Sequence, residues 1–449
     1  MKKVFVFITF LSWSTAFAEL VPEKALGFYK FDQYQRIEIK RTSSGDFIII
    51  PEQGAMKLTE ARGNKFRIVK NNSYVRFATN EEGEITHLEY LSMGKRSFKR
   101  VTLEDLKNMS PNCRERVSRM PIVRCLQVQM SVPGLAVVFF ENGEPTQTVS
   151  LGVENQDTYS NITSSTLFQA AQLTWPVSAA ITLMLNEEKR ISIDAPLGTM
   201  GLPTAKMQQI KSVSLRKILN LTYPLPKVPL RGYHRTVELP TLDQVILGEA
   251  PASNPPLVER ARTNEPANLA AYALLQKFLE VKVPDEPFND LTIPYLRKLG
   301  FDRSLYALNP PSEFFAYGHD ANGELFPAGY NLFPELAAGG LWTTPDDYAQ
   351  FMKQIYLSFH DRGDKALTRG QVLTLITATS GDNALGFTRK GNLITVSGCS
   401  VGFCNAMDFN IQTGNGFLIM TNGDRGLELA ERLREQLYSD LPYQKNESY

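Results

Sequence analysis

Strand patterns at both ends of one long segment constrain the fold of this chain more than any other feature. Residues 132–152 read VPGLAVVFFENGEPTQTVSLG, and the Asn142-Gly143 turn between two apolar runs is typical of a β-hairpin. Further strand patterns, NLITVSG, FCNAMDFNI and GFLIMTN, come only near the end of the chain. We therefore expect one antiparallel sheet built from both ends, with the residues between as an insertion, which is an α+β arrangement.

A helical pattern closes the segment and supports this arrangement. The stretch GLELAERLREQLYSDL repeats apolar residues at helical spacing, so that one face of the helix can lie on the sheet. These residues are Leu427, Ala430, Leu433 and Leu437.

The residues between the two groups of strands are rich in proline and helical patterns, which predicts a helical lobe over about 169–335. It begins with FQAAQLTWPVSAA, residues 168–180, where a strand-like segment leads into an apolar helix. Pro176 falls in the first turn of that helix, where its missing N–H costs nothing. The turn has the layout of a catalytic site, yet neither Gln172 nor Trp175 within it is a good nucleophile or base.

The N-terminal part carries a different pattern. Residues from about 25 to 104 alternate apolar and polar residues in short runs such as RIEIKR, KFRIVK and YVRFAT, with turn signals between them. This spacing predicts a small antiparallel β domain, a barrel or a sandwich, over residues 19–105. The second domain is then expected to span 106–449.

The first residues, MKKVFVFITFLSWSTAFAEL, resemble a secretory signal with a charged start, an apolar run and an Ala-x-Ala cleavage site. We expect a signal peptide over residues 1–18 and an exported chain, in the bacterial periplasm or secreted, with no membrane span after cleavage. An uncleaved membrane anchor is the alternative.

Composition limits the classes of partner and cofactor. The net charge is +1, from 48 basic and 47 acidic residues, which argues against a nucleic-acid partner. The four histidines lie far apart without metal-ligand spacing, so we expect no metal and no cofactor. Among the three possible pairings of the cysteines we prefer Cys113–Cys125 and Cys399–Cys404, because each pair is close in sequence. Buried free thiols are the alternative.

Residues 109–441 resemble the serine β-lactamase and penicillin-recognising superfamily, in its esterase and peptidase branch. The resemblance is carried by VPGLAVVFFENGE, STLFQAAQLTWPVSAAITLMLNEEKRISIDAPL, SLRKILNLTYPLP, AAGGLWTTPDDYAQFM and VSGCSVGFCNAMDFNIQTGNGFLIMTNGD, in the family's order. It implies a β-lactamase-like domain, an antiparallel sheet with flanking helices and a helical lobe. The N-terminal strands are similar to a small β domain that often accompanies this family.

The resemblance also implies three catalytic motifs, and all three are degenerate here. The Ser-x-x-Lys motif has Gln172 at the serine position and Trp175 at the lysine position. Of the Tyr-x-Asn motif at most Asn268 survives. The Lys/His-Thr/Ser/Gly-Gly motif reads Ser397-Gly398-Cys399, without its cation.

One feature of the site can survive loss of the side chains in this interpretation. The resemblance implies an oxyanion hole from two main-chain N–H groups, here those of Gln172 and Ser400. A carbonyl or anion could still bind there unless Trp175 fills the space as an apolar core residue, which is the favoured interpretation. A thiol nucleophile at Cys399 is the other alternative, and a disulfide with Cys404 would disable it.

We therefore expect an exported, catalytically inactive homologue that binds a peptide, a cell-wall fragment or a protein partner. One alternative is a serine hydrolase, such as an esterase, D-peptidase or β-lactamase, whose nucleophile is unrecognised. Another is a structural or assembly scaffold.

Overall fold

The computed structural model describes residues 21–439 except 31–35, 43–44, 51–53, 62–64, 70–72, 92–94, 102–118, 157, 159, 204–206, 262–267 and 311–313. The predicted signal peptide, residues 1–18, lies outside the described residues. The chain divides into two compact units, Met1–Ser110 and Pro111–Tyr449. Because residues 102–118 are not described, the expected boundary at 105/106 stays a prediction.

The first unit is an antiparallel barrel of eight strands in sequence order, closed by pairing of the last strand with the first. Alternate residues such as Ile39, Ile68 and Val75 are buried inside it, as the period-2 pattern predicted. Of the two predicted folds for this domain, a barrel or a sandwich, the barrel is therefore correct. Its strands are β1 (Gly27–Lys30), β2 (Arg36–Thr42), β3 (Gly45–Ile50), β4 (Gly54–Ala61), β5 (Lys65–Ile68), β6 (Tyr74–Thr79), β7 (Ile85–Leu91) and β8 (Lys95–Val101).

The second unit contains a six-stranded antiparallel sheet made from both ends of the segment, which confirms the α+β fold. Its order across the sheet is β10-β9-β19-β18-β17-β16. The N-terminal hairpin β9 and β10 pairs with β19, so strands far apart in sequence become neighbours. These strands are β9 (Gly134–Glu141), β10 (Glu144–Gly152), β16 (Thr388–Lys390), β17 (Leu393–Ser400), β18 (Phe403–Asn410) and β19 (Gly416–Thr421).

Helices cover both faces of this sheet. On one face α1 (Arg119–Met130) and α10 (Gly426–Ser439) pack on alternate residues of β9, among them Leu135 and Val137. The predicted apolar face of α10 takes part, with Ala430 and Leu433 buried and Leu427 and Leu437 partly buried against the same core. The other alternate residues of β9, such as Ala136 and Val138, face the helical lobe.

The helical lobe and the returning chain supply the remaining elements. Two short sheets brace the lobe: β11 (Phe168–Gln169), β15 (Leu341–Thr343) and β13 (Leu305–Tyr306) form one, and β12 (Tyr233–His234) with β14 (Asn331–Leu332) forms the other. The helices are α2 (Thr174–Glu187), α3 (Leu215–Leu219), α4 (Leu242–Leu247), α5 (Asn268–Lys282), α6 (Phe288–Lys298), α7 (Leu336–Gly339), α8 (Pro345–Phe359) and α9 (Arg369–Ile376).

Within the described ranges, no helix combines the length and the apolar character that a membrane crossing requires.

Candidate functional site

The turn at residues 168–173 is built as the sequence predicted, from a short strand into a buried helix. A single 3₁₀ turn, Ala171–Leu173, joins β11 to α2. Ala171 has a φ of 49°, a left-handed conformation that is uncommon for a residue with a side chain and that concentrates at functional sites. The chain therefore keeps a constrained turn that aims residue 172 at the sheet.

Gln172 fills the space between this turn and β17. A Cβ built on Gly398 would lie 2.0 Å from Gln172 Cδ, so the glutamine side chain rests on the bare main chain of the strand. Gln172 Nε2 donates to the carbonyl of Cys399 at 3.3 Å. Gln172 Oε1 is buried without a hydrogen-bond partner in the described structure. The side chain is an amide, which neither attacks an acyl group nor accepts a proton.

The alternation of β17 decides which of its residues face Gln172. Ser397 is exposed, whereas its neighbours Val396 and Gly398 are buried on the opposite face, toward the turn. The predicted motif Ser397-Gly398-Cys399 thus meets the turn through Gly398 and the main chain of Cys399. The position that would carry a side chain toward the turn is Val396, not Ser397.

The main chain of Cys399 points away from β18 and toward Gln172. Cys399 lies opposite Cys404 with Cα atoms 4.2 Å apart, the spacing of a non-hydrogen-bonded antiparallel pair. The next residue, Ser400, alternates with it, and its side chain donates to Gln169 Oε1 at 3.4 Å. The structure therefore puts the carbonyl of Cys399 and the side chain of Ser400 beside the turn, and the role of the Ser400 N–H stays a prediction.

The disulfide Cys399–Cys404 is present, in agreement with the preferred pairing. A sulfur in a disulfide is not a thiolate, so Cys399 has no nucleophile to offer in this state. Cys125 is also disulfide-bonded. Its expected partner, Cys113, lies outside the described residues.

Trp175 is partly buried and packs against the core that contains the turn. Its indole lies parallel to the ring of Tyr272, with centroids 6.0 Å apart and planes inclined by 7°. Its Nε1 donates to the carbonyl of Ala338 in α7 at 2.9 Å. The indole is thus held by the stack on Tyr272 and by the hydrogen bond at its edge. Trp175 therefore places a largely apolar side chain at the position where the resemblance implies a lysine.

Asn268 is the first residue of α5, and the two residues before it, Pro266 and Ala267, lie outside the described part of the chain. One turn further along α5, Tyr272 stacks on Trp175. Within the described residues, no group of three or more His, Cys, Asp or Glu side chains is arranged to hold a metal ion.

Residues 122–439 match the family model named Beta-lactamase. The chain belongs to this family. No curated protein matches it in a direct comparison of sequences.

Solved structures of this family share the fold of the second unit. One is a Beta-lactamase/D-alanine carboxypeptidase from Pseudomonas syringae, 14% identical, with a TM-score of 0.54 over 71% of this chain and 97% of that one. FmtA from Staphylococcus aureus is 18% identical, with a TM-score of 0.52 over 72% and 90%. A D-amino acid amidase from Ochrobactrum anthropi SV3 is 18% identical, with a TM-score of 0.52 over 70% and 95%. At these identities the likeness establishes the fold alone.

Behind Trp175, this Beta-lactamase family member buries three tyrosine hydroxyls in the core. Burial is the largest effect on the pKa of Tyr272, Tyr306 and Tyr348, and it raises the pKa of each above the ordinary value for tyrosine. These phenols are therefore neutral at physiological pH. A neutral phenol donates a hydrogen bond but does not act as a general base.

Ser178, one turn after Trp175, is the serine closest in sequence to the expected nucleophile position on α2. Its Oγ donates to the carbonyl of Ala337 at 2.9 Å and accepts from the Tyr306 hydroxyl at 2.8 Å. The side chain is 2% exposed. Its one proton is committed to a main-chain carbonyl, and bulk substrate does not reach it.

Sequence reasoning missed Glu335, which precedes α7. The residue is 3% exposed, and its Oε2 has no hydrogen-bond partner in the described structure. Burial raises the pKa of Glu335 to about 7. Nearby Tyr233 has a pKa raised to about 12, first by burial and second by the charge of Glu335. The sequence carried no motif that could have signalled this carboxyl.

Proposed function

We propose that this Beta-lactamase family member does not catalyse acyl transfer at the family's site and acts by binding a peptide, a cell-wall fragment or a protein partner. One observation carries the proposal. The turn that aims residue 172 at β17 holds an amide, and the place expected for the proton acceptor holds an indole with its N–H already donated.

Several other hydroxyls and the sulfur of Cys399 also support the proposal. Ser178 is enclosed in the core, Cys399 is in a disulfide, and the three buried tyrosines stay protonated. A nucleophile needs an exposed attacking atom together with a base, and these residues do not supply the pair.

A peptide is the ligand that the edge of β17 suits best. Pairing of β16 with β17 ends at Thr395 in the described structure, and beyond it the carbonyl of Cys399 accepts a hydrogen bond from the side-chain amide of Gln172. A peptide N–H is the same kind of donor. An extended peptide that displaces the Gln172 amide would add its main chain to this edge, as peptides do at other sheet edges.

Residues 1–18 have the features of a secretory signal, so we propose that binding takes place after export, in the periplasm or outside the cell.

The test uses a fluorescent penicillin and a fluorophosphonate probe on the purified chain, beside an active serine β-lactamase as a positive control. We expect labelling of the control and none of this chain. We also expect extended peptides to bind saturably. Their binding should be stronger in Gln172→Ala, because the Cys399 carbonyl becomes free.

Covalent labelling that disappears on substitution of one serine or cysteine would overturn the proposal in favour of a hydrolase. A protein partner that co-purifies with the chain, while peptides and cell-wall fragments leave its thermal stability unchanged, would favour a scaffold.

A further inference from the structure

A cleft lies on the segment that leads into the turn. Its volume is about 700 Å³, within the range of small-molecule sites. It shares no lining residue with the Gln172 site, so ligand binding in this cleft does not depend on the proposed function. The lining residues are Glu154, Ser160, Asn161, Thr163, Ser165, Leu167, Arg303 and Phe314.

Glu154 supplies a carboxyl group that is almost fully buried in the cleft wall. The residue is 6% exposed, and Thr166 Oγ1 donates to its Oε1 at 2.7 Å. A carboxylate accepts about four hydrogen bonds, so it keeps capacity for a further donor. Burial, the larger effect, raises the pKa of Glu154 despite the hydrogen bond from Thr166. A cation in the cleft would offset this desolvation.

The wall around Glu154 is fixed rather than loosely placed. Thr166 Oγ1 also accepts from the main-chain N–H of Thr163 at 2.9 Å. Leu167 donates its N–H to the carbonyl of Phe314 at 3.2 Å and accepts from the N–H of Ala316 at 2.8 Å. These hydrogen bonds therefore fix the backbone positions of Leu167 and Phe314 and the carboxyl group of Glu154.

Apart from Glu154, the cleft is lined by four neutral polar side chains, two apolar side chains and one arginine. Leu167 is buried in the wall, and the Phe314 side chain is 72% exposed, an unusual state for a large apolar residue. Arg303 is exposed, and its main-chain N–H donates to Asp347 Oδ2 at 2.8 Å, which anchors its backbone. One cleft thus combines a buried acid, an exposed base and apolar surface.

We propose that this cleft binds a short hydrophobic peptide in its zwitterionic form, with the terminal ammonium at Glu154, the carboxylate at Arg303 and the side chains against Leu167 and Phe314. Ammonium–carboxylate and guanidinium–carboxylate pairs are the strong, charge-assisted kind of hydrogen bond. Opposite charges in one cleft complement a ligand that carries both.

The test measures binding of leucyl-leucine to the full chain by calorimetry. We expect saturable binding, weakened by about ten-fold or more in Glu154→Gln and in Arg303→Gln, since a hydrogen bond to a charged group contributes that much. Matched changes at exposed positions outside the cleft, Glu259→Gln and Arg362→Gln, should leave binding unchanged.

Changes in the ligand test the same contacts without any variant. N-acetyl-leucyl-leucine removes the ammonium and leucyl-leucine amide removes the carboxylate, and each should bind the unmodified chain about ten-fold or more weakly. In Glu154→Gln, N-acetylation of leucyl-leucine should reduce its affinity little further. The proposal is overturned if leucyl-leucine does not bind at millimolar concentration, or if acetylation and Glu154→Gln leave its affinity unchanged.

Discussion

Gln172 and Trp175 stand in the positions where the resemblance to serine β-lactamases implies a serine and a lysine, and each makes a contact of its own. Gln172 joins the turn to the Cys399 carbonyl, and Trp175 joins α2 to α7 and stacks on Tyr272. Both side chains therefore have a structural role at the turn.

Gly398 gives the Gln172 side chain its room. In Gly398→Ala the new methyl group would meet Gln172 Cδ at 2.0 Å, so we expect a loss of about 1–3 kcal/mol in the free energy of unfolding, measured in urea. Gln172→Ala combined with Gly398→Ala should recover most of that loss. Equal losses in the single and double variants would contradict the contact.

The hydrogen bond from Trp175 can be removed without removing the ring. Trp175→Phe keeps an aromatic side chain beside Tyr272 but leaves the Ala338 carbonyl without its donor, so we expect a loss of about 1–3 kcal/mol in unfolding free energy. An unchanged urea midpoint would show that the indole N–H does not hold α7.

At the scale of single elements, α7 and the hairpin of β17 and β18 form the walls behind and beside the turn. Carbonyls of α7 accept from Trp175 and Ser178, and the helix begins directly after the buried Glu335. The hairpin is closed by the Cys399–Cys404 disulfide.

Glu335 makes the stability of this region depend on pH. Its pKa is about 7 in the folded chain against an ordinary 4.5, so the folded chain binds the proton more tightly. The resulting stability is present in full below pH 4.5 and is lost as pH rises through about 7. Between pH 5 and pH 8 the unfolding free energy should fall by on the order of 3 kcal/mol relative to Glu335→Gln. If the unfolding free energies of the unmodified chain and of Glu335→Gln changed with pH in parallel, this prediction would be contradicted.

The disulfide of the hairpin closes a short loop, with a sequence separation of 5. The chain-entropy relation gives roughly 2 kcal/mol for such a loop, so the double variant Cys399→Ser, Cys404→Ser should lose about that much unfolding free energy. Because Cys125 is disulfide-bonded too, the variant isolates this bond where a reductant would not. An unchanged urea midpoint would show that strand pairing alone holds the edge beside Gln172.

At the scale of the whole molecule, the order of the patterns was enough to predict the architecture. Strands at both ends with helices between require one sheet assembled over a long sequence distance, and the apolar face of α10 indicated where that sheet is covered. The period-2 runs predicted a small β domain, but closure depends on the pairing of β1 with β8, which no local pattern reveals.

The sequence predicted a candidate site but not the contacts between its residues. The resemblance to serine β-lactamases singled out Gln172 and Trp175, whereas the stack of Trp175 on Tyr272 joins residues from separate helices. On β17 a shift of one residue exchanges the two faces, so sequence spacing alone did not show that Val396 and Gly398 are buried while Ser397 is exposed. Glu335 went unnoticed because burial, not residue type, sets its pKa.

We propose that the whole chain, with its Beta-lactamase fold, binds its ligand without forming an acyl intermediate. Intact-protein mass spectrometry after prolonged incubation with a penicillin and with a fluorophosphonate tests it most directly. We predict that the mass stays that of the unmodified chain with both reagents. A stoichiometric mass increase equal to one acyl or phosphonyl group, abolished by substitution of a single serine, would contradict the claim.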